Sequence, residues 1–201
     1  MTTAVVLSGR SVRDEVPGVR HFRMEPRSRY EPMAFSIETE RLSLQLRGPR
    51  DASWNLELRG EHEGRTTPTL SEEEQHLATQ QDQARAIGFG FLTITRRFEG
   101  DPIGYCGVLI GRCTFDEPEL AYELLRRHRG QGYATEAATS VLRAAFATGR
   151  QRIWATVRTW NTPSYRVLTK IGFQPDHTMR DDQGHLIYMA RDATSRGPLV
   201  E

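Results

Sequence analysis

The sequence predicts an α/β (α+β) domain in which helices pack on a mostly antiparallel sheet, and three observations carry that prediction. Leu42, Leu44 and Leu46 alternate with Ser43, Gln45 and Arg47, the period-two pattern of a half-buried strand. Strand-like runs follow at residues 89–95, 103–113 and 119–125, separated by Glu99-Gly100-Asp101-Pro102 and Asp116-Glu117-Pro118, so they read as an antiparallel meander. After a glycine turn, Ala138, Val141, Leu142, Ala145 and Phe146 recur at helical spacing as far as Gly149, which describes a helix lying on that sheet.

The remaining elements fit between these. Residues 1–35 hold Pro17, Pro26, Pro32 and six arginines with little periodicity, and read as an extension outside the main core that either packs across the surface or stays mobile. The folded domain is expected over residues 36–192, with a tail at 193–201. Asp51 is placed to cap a short helix through Trp54, and Ser71 with Glu74 forms a capping box opening a second, largely polar helix. With the 60–68 loop, that helix is a candidate wall or lid over a site. Ile153, Ala155 and Val157 alternate as a strand, residues 162–171 read as a short helix, and Arg180-Asp181-Asp182-Gln183-Gly184 is a hairpin turn before a last strand at 185–190.

A chain of 201 residues can bury one sizeable core. Its net charge of +1 gives no field for nucleic acid or an anionic membrane surface, so neither is expected as a partner. Cys106 and Cys113 lack the paired spacing of a zinc site or disulfide framework, so no metal is expected and both read as core thiols in a reducing cytoplasm. No stretch approaches the roughly 18 apolar residues of a membrane span, and the N-terminus lacks a basic start followed by an apolar block. The reading is a soluble, unexported protein.

Arg129-Gly130-Gln131-Gly132-Tyr133-Ala134 carries the chemistry. A strand that enters a glycine turn and leaves directly as a helix aims several unpaired N–H groups at one spot. With the helix dipole they form an anion site, and glycine at 130 and 132 permits the dihedrals that bring amides close to phosphate oxygens. Such a turn is also a common structural turn. A dinucleotide fold would place it after the first strand of a parallel alternating unit, not after several hairpin-ordered strands.

A second segment changes the weight of the first. Arg129-Gly130-Gln131-Gly132-Tyr133-Ala134 resembles the R/Q-x-x-G-x-G/A motif of the GCN5-related N-acetyltransferases (GNAT), and Asn161-Thr162-Pro163-Ser164 through Lys170-Ile171-Gly172-Phe173 resembles their N-x-x-S/A and K-x-G-F motif, in the family's order and spacing. Thr39-Glu40-Arg41-Leu42 and Glu136-Ala137 are similar to the RimJ/RimL-like branch of ribosomal-protein alanine N-acetyltransferases. The resemblance covers about residues 36–192. It implies the GNAT fold, a central mixed, mostly antiparallel twisted sheet of about seven strands in which the strand before the glycine turn splays from the strand after its helix.

It further implies acetyl-CoA as cosubstrate and direct transfer of acetyl to a primary amine, either a protein N-terminal α-amine or a small-molecule amine. By this resemblance pantetheine lies in the strand gap against the backbone of Tyr122 and Leu124, with the pyrophosphate on residues 129–134. Asn161 bonds pantetheine, ties the parted strands, or caps the next helix. Glu119 matches the glutamate that draws a proton from the amine; Glu123, on the same strand face by period two, is the reserve. Glu119 as an exposed edge-strand charge is the bland alternative. Leu168 stands where many members have a tyrosine acid, which leaves Ser164 as the hydrogen-bond donor to the departing thiolate. Tyr188 and His185 are candidates for the acceptor pocket or, more simply, core and surface residues. Members of the family pair through sheet edges, so a homodimer is allowed. A CoA-binding sensor with little catalysis and a transferase for another acyl-CoA such as succinyl-CoA stay open.

Overall fold

The computed structural model describes residues 29–62, 64 and 66–195. Expectations for residues 1–28 and 196–201 lie outside the described residues. Among those described, eight strands make one sheet: β1 (Ser36–Glu38), β2 (Leu42–Leu46), β3 (Phe91–Arg96), β4 (Pro102–Leu109), β5 (Glu119–Leu124), β6 (Arg152–Arg158), β7 (Gln174–Asp181) and β8 (Gly184–Asp192). Their spatial order is β1-β2-β3-β4-β5-β6-β8-β7. All neighbours are antiparallel except β5 and β6, which are parallel. The helices are α1 (Ala52–Gly60), α2 (Leu70–Ile87), α3 (Tyr133–Ala147) and α4 (Thr162–Lys170). This is the mixed, mostly antiparallel sheet expected, with one strand more, because a three-residue strand such as β1 is too short to show a period.

Strand alternation divides the sheet into two faces. Leu44, Ile94, Val108, Leu120, Tyr122, Ala155 and Val157 join Ala138, Val141 and Leu142 of α3 and Leu168 of α4 in the main core. On the other face Trp54 and Leu58 of α1 pack with Tyr105 and Leu125 in a smaller cluster. Glu119, Glu123 and Thr156 belong by alternation to this second face.

Two boundaries differ from the sequence reading. Helix α2 opens two residues earlier than expected: Thr69 is its cap and accepts from the Glu72 N–H, while the Glu72 carboxylate accepts from the Thr69 N–H at 2.8 Å. Both Thr69-x-x-Glu72 and Ser71-x-x-Glu74 fit the capping pattern; Ser71 lies inside the helix. The strand read over 103–113 ends at Leu109, and Cys113 N–H closes a turn onto Ile110 C=O at 2.8 Å. Cys113 is therefore only half-buried, whereas Cys106 is in the core.

The described end of the segment expected outside the core is stitched to it. Met33 is 2 % exposed within the main cluster. Glu31 N–H bonds Thr148 C=O at 3.0 Å, and Met33 N–H bonds Gly88 C=O at 2.7 Å. The buried Arg150 guanidinium lies 4.3 Å from the Tyr30 ring, 4.6 Å from Phe89 and 5.0 Å from Phe115, an aromatic box that offsets its burial. So few residues carry no periodic signal, and their partners are more than fifty residues away in sequence. Met33→Ala is expected to cost about 2–5 kcal/mol in denaturant unfolding, the range for emptying a buried methionine site.

Candidate active site

The parallel pairing of β5 and β6 consists of one registered pair, Glu119 with Trp154, anchored by Trp154 N–H on Pro118 C=O at 2.9 Å. Beyond it the strands part. The ladder on the other side of β5 shows which groups are left: Leu125 N–H goes to Ile103 C=O at 2.9 Å, so by alternation the N–H and C=O of Tyr122 and Leu124 point away from β4 into the gap. The Leu124 carbonyl is taken there by Arg129 Nε at 2.8 Å. Its N–H faces the opening.

A cavity of about 260 Å³ opens from this gap, walled by Tyr122, Leu124, the glycine turn with Tyr133, Ala134 and Thr135, and Pro163, Ser164, Arg166 and Val167 of α4. Gly130 has φ 77° and Gly132, the N-cap of α3, has φ 85°, left-handed values that favour glycine. They turn the first amides of α3 toward the cavity, a concavity suited to phosphate oxygens. A slightly larger cavity, about 280 Å³, lies between α2 and strands β2 to β4, but no helix N-terminus or parted strand opens into it.

The glycine turn is held from behind by a carboxylate. Glu136, in the first turn of α3, accepts from Thr39 Oγ1 at 2.7 Å, Arg41 N–H at 2.9 Å and Arg41 Nε at 2.7 Å. Arg41 Nη1 also reaches Gln131 C=O at 3.0 Å, and its guanidinium lies 4.6 Å from the Tyr133 ring. Burial would raise the Glu136 pKa, but these hydrogen bonds and the Arg41 charge outweigh it and hold the group below its ordinary value. Thr39, Arg41 and Glu136, which carry the branch resemblance, therefore join the β1–β2 turn to the loop.

Most expected residues come together here. Tyr122, Leu124, Arg129, Gly130, Gly132, Tyr133, Ala134 and Ser164 line the cavity. Gln131 does not line it; its side chain donates to Arg127 C=O at 3.3 Å. Arg129 has turned from the anion nest toward Leu124 C=O and Glu61. Asn161 is buried and caps α4, accepting from Ser164 N–H at 3.3 Å. Leu168 is a core residue.

Glu119 is fully buried, not an exposed edge charge, because β5 is central in the sheet. One of its oxygens accepts from Thr156 Oγ1 and the other from Arg112 N–H at 3.1 Å. The two strands that separate for the ligand are thus tied at the closed end by a side-chain bond. Tyr188 faces Thr156 in register, stacks on His177 at 4.4 Å and meets Trp154 edge-on; burial raises its pKa first of all. His185 is exposed.

Sequence reasoning missed Thr135, Arg166 and the side chain of Tyr122. The Tyr122 hydroxyl crosses to Ser164 C=O at 3.2 Å, and burial pushes its pKa up. Helical spacing from Ser164 would have placed Val167 and, more loosely, Arg166 beside the cavity; nothing in the sequence announces the Tyr122 contact.

A glycine-lined helix N-terminus beside a parted parallel strand pair has the donors and shape to take a phosphate-bearing ligand with an extended arm. Residues 41–174 match the acetyltransferase (GNAT) domain, and the chain belongs to that family. A protein described as an uncharacterised N-acetyltransferase, YoaA of Bacillus subtilis (strain 168), is 34% identical over 107 residues, 53% of this chain and 59% of YoaA. The chain spans about half the length of the curated relatives it matches, 46% and 59%. Ribosomal-protein-S5-alanine acetyltransferase from Vibrio fischeri superposes with a TM-score of 0.69 at 20% identity, covering 82% of this chain and 100% of that one. Mycobacterium smegmatis RimJ, solved in complex with CoA-disulfide, gives 0.64 at 22% identity, over 76% and 82%. These two likenesses are of fold.

Glu136→Gln is expected to lower stability by about 1–3 kcal/mol at neutral pH, the worth of hydrogen bonds to a charged group. A carboxyl with a lowered folded-state pKa stabilises fully above its unfolded value and loses that contribution as pH falls through the folded one. The difference between wild type and variant in denaturant unfolding should therefore start to narrow as pH falls through 4.5, the ordinary value, and close at lower pH.

Proposed function

We propose that this protein transfers acetyl from acetyl-CoA to a primary amine by direct attack in a ternary complex. The observation that carries the reading is the gap between β5 and β6, into which free backbone of Tyr122 and Leu124 and the N-terminal turns of α3 and α4 all open. The cavity fits the cosubstrate: the amides of residues 130–134 would receive pyrophosphate, and the free edge of β5 would pair with the amide-bearing pantetheine arm. When bound, acetyl-CoA supplies the activated acyl carbon. Mycobacterium smegmatis RimJ, solved with CoA-disulfide, and a microcin C7 self-immunity acetyltransferase, solved with acetyl-CoA and AMP, support this choice of donor.

Acyl transfer needs a neutral amine, a donor for the developing oxyanion and a proton for the thiolate. The Leu124 N–H is the oxyanion donor. Glu119 draws a proton from the incoming ammonium through water; its oxygens each hold one donor and retain a lone pair for that water. Ser164, buried at the first turn of α4 and lining the cavity, gives a hydrogen bond to the thiolate. Asn161 fixes that turn.

The acceptor is the α-amine of a protein N-terminus or a small-molecule amine, and the likeness to an S5-alanine acetyltransferase favours the first. Among the described residues no helix is long and apolar enough to cross a membrane, and both cysteines are free. Free thiol released from acetyl-CoA with peptides beginning in alanine or serine, against a small-amine panel, decides the acceptor. Glu119→Gln should lower kcat by about 10²–10⁴, as loss of a general base does, and Ser164→Ala by about tenfold. Tight CoA binding by calorimetry with no turnover on any amine would mark the protein as a sensor.

A further inference from the structure

A second carboxylate on the Glu119 face of β5 takes no part in this chemistry. Glu123 is 8 % exposed, and only one of its oxygens has a hydrogen-bond donor among the described residues. Tyr105 hydroxyl donates to Oε2 at 3.2 Å, and Nε2 of His62, in the turn after α1, lies 2.6 Å from Oε1. The same turn is pinned by Glu61, which accepts from Arg126 N–H at 3.0 Å and pairs with Arg129 Nη2 at 3.3 Å. Side chains of His62 and Glu123 keep 15 % and 10 % of their exposure, so the pair is screened from solvent yet open at one edge.

We propose that His62, held by Glu123, is a second catalytic base, which takes the proton that nitrogen sheds after attacking the thioester carbonyl. The proposal rests on the acetyl-transfer reading. Glu123 immediately precedes Leu124, whose free N–H marks the level of the carbonyl oxygen in the gap. Glu119 lies four residues back, about 13 Å along an extended strand, at the closed end. One carboxylate there cannot serve both places.

An amine that arrives as ammonium has two protons to lose. The first goes to Glu119 through water, which frees the lone pair. That pair forms the C–N bond while the carbonyl π pair moves to oxygen, opposite the Leu124 N–H. The nitrogen, now cationic, gives its second proton to His62. The oxygen pair then re-forms C=O, and the C–S pair leaves with sulfur, which takes a proton beside Ser164. The sum is ammonium plus thioester giving amide, thiol and one proton.

Nε2 of His62 is in ion-pair contact with Glu123 Oε1, an oxygen with no hydrogen-bond donor among the described residues, and a neutral imidazole keeps a lone pair on one ring nitrogen that can take a proton. This is the arrangement of base and orienting carboxylate used to activate nucleophiles. Glu123 is the positioning residue. The charged groups around the pair are Glu61, Arg126 and Arg129, with the Tyr105 hydroxyl on the β4 side.

His62→Gln should lower kcat by about 10²-fold, with CoA binding by calorimetry unchanged. In the ligand-free protein, long-range 1H–15N spectra should show His62 as the Nε2–H tautomer, and Glu123→Gln should lose that preference. A wild-type kcat in His62→Gln, or a His62 proton on Nδ1, would overturn the proposal while leaving acetyl transfer intact. Failure of the wild type to release thiol with any amine would remove both.

Discussion

The gap between β5 and β6 exists because their parallel ladder stops after Glu119 and Trp154. A buried backbone edge left without partners costs free energy comparable to the hydrogen bonds it lacks, so the opening persists only where something holds the strands apart and something else closes its ends. Here the Glu119–Thr156 bond and the Trp154–Pro118 bond close the narrow end. At the wide end Arg129 caps one carbonyl, and the Tyr122 hydroxyl reaches across to α4. The backbone left over is what a ligand arm can pair with.

The glycine loop depends on that geometry from the other side. Its amides converge because α3 starts at a left-handed glycine, and α3 keeps its place because Glu136 binds Thr39 and Arg41 from the turn before β2. Residues almost a hundred positions apart thus fix a loop whose own sequence is mostly glycine and polar side chains. The same economy governs the other face of the sheet, where the turn after α1 carries Glu61 to the end of β5 and His62 to Glu123.

Local signals were legible where the chemistry is local. The alternation of β2 and β6, the strand-like runs of β3 to β5, the helical spacing of α3 and the glycine turn all lay open to reading, because each is a property of neighbouring residues. The capping of α2 was read two residues late, since Thr69 and Ser71 each precede a glutamate by three. The packing of residues 29–35 was not readable: Met33 and Tyr30 find their partners at Gly88 and Arg150, and no short-range pattern encodes such a distance. The burial of Glu119 follows from β5 lying in mid-sheet, which depends on strand order.

By itself the sequence determined that a strand, a glycine turn and a helix follow one another, with a second motif beginning at Asn161, because backbone dihedrals and helix periods are set within a few residues. Only the tertiary structure decided which groups the turn would serve. It turned Arg129 inward to Leu124 and Glu61, made Asn161 a helix cap, and brought His62 against Glu123. Those choices are made by competition among all nearby donors and acceptors once the chain is compact, and a motif names only one of the competitors.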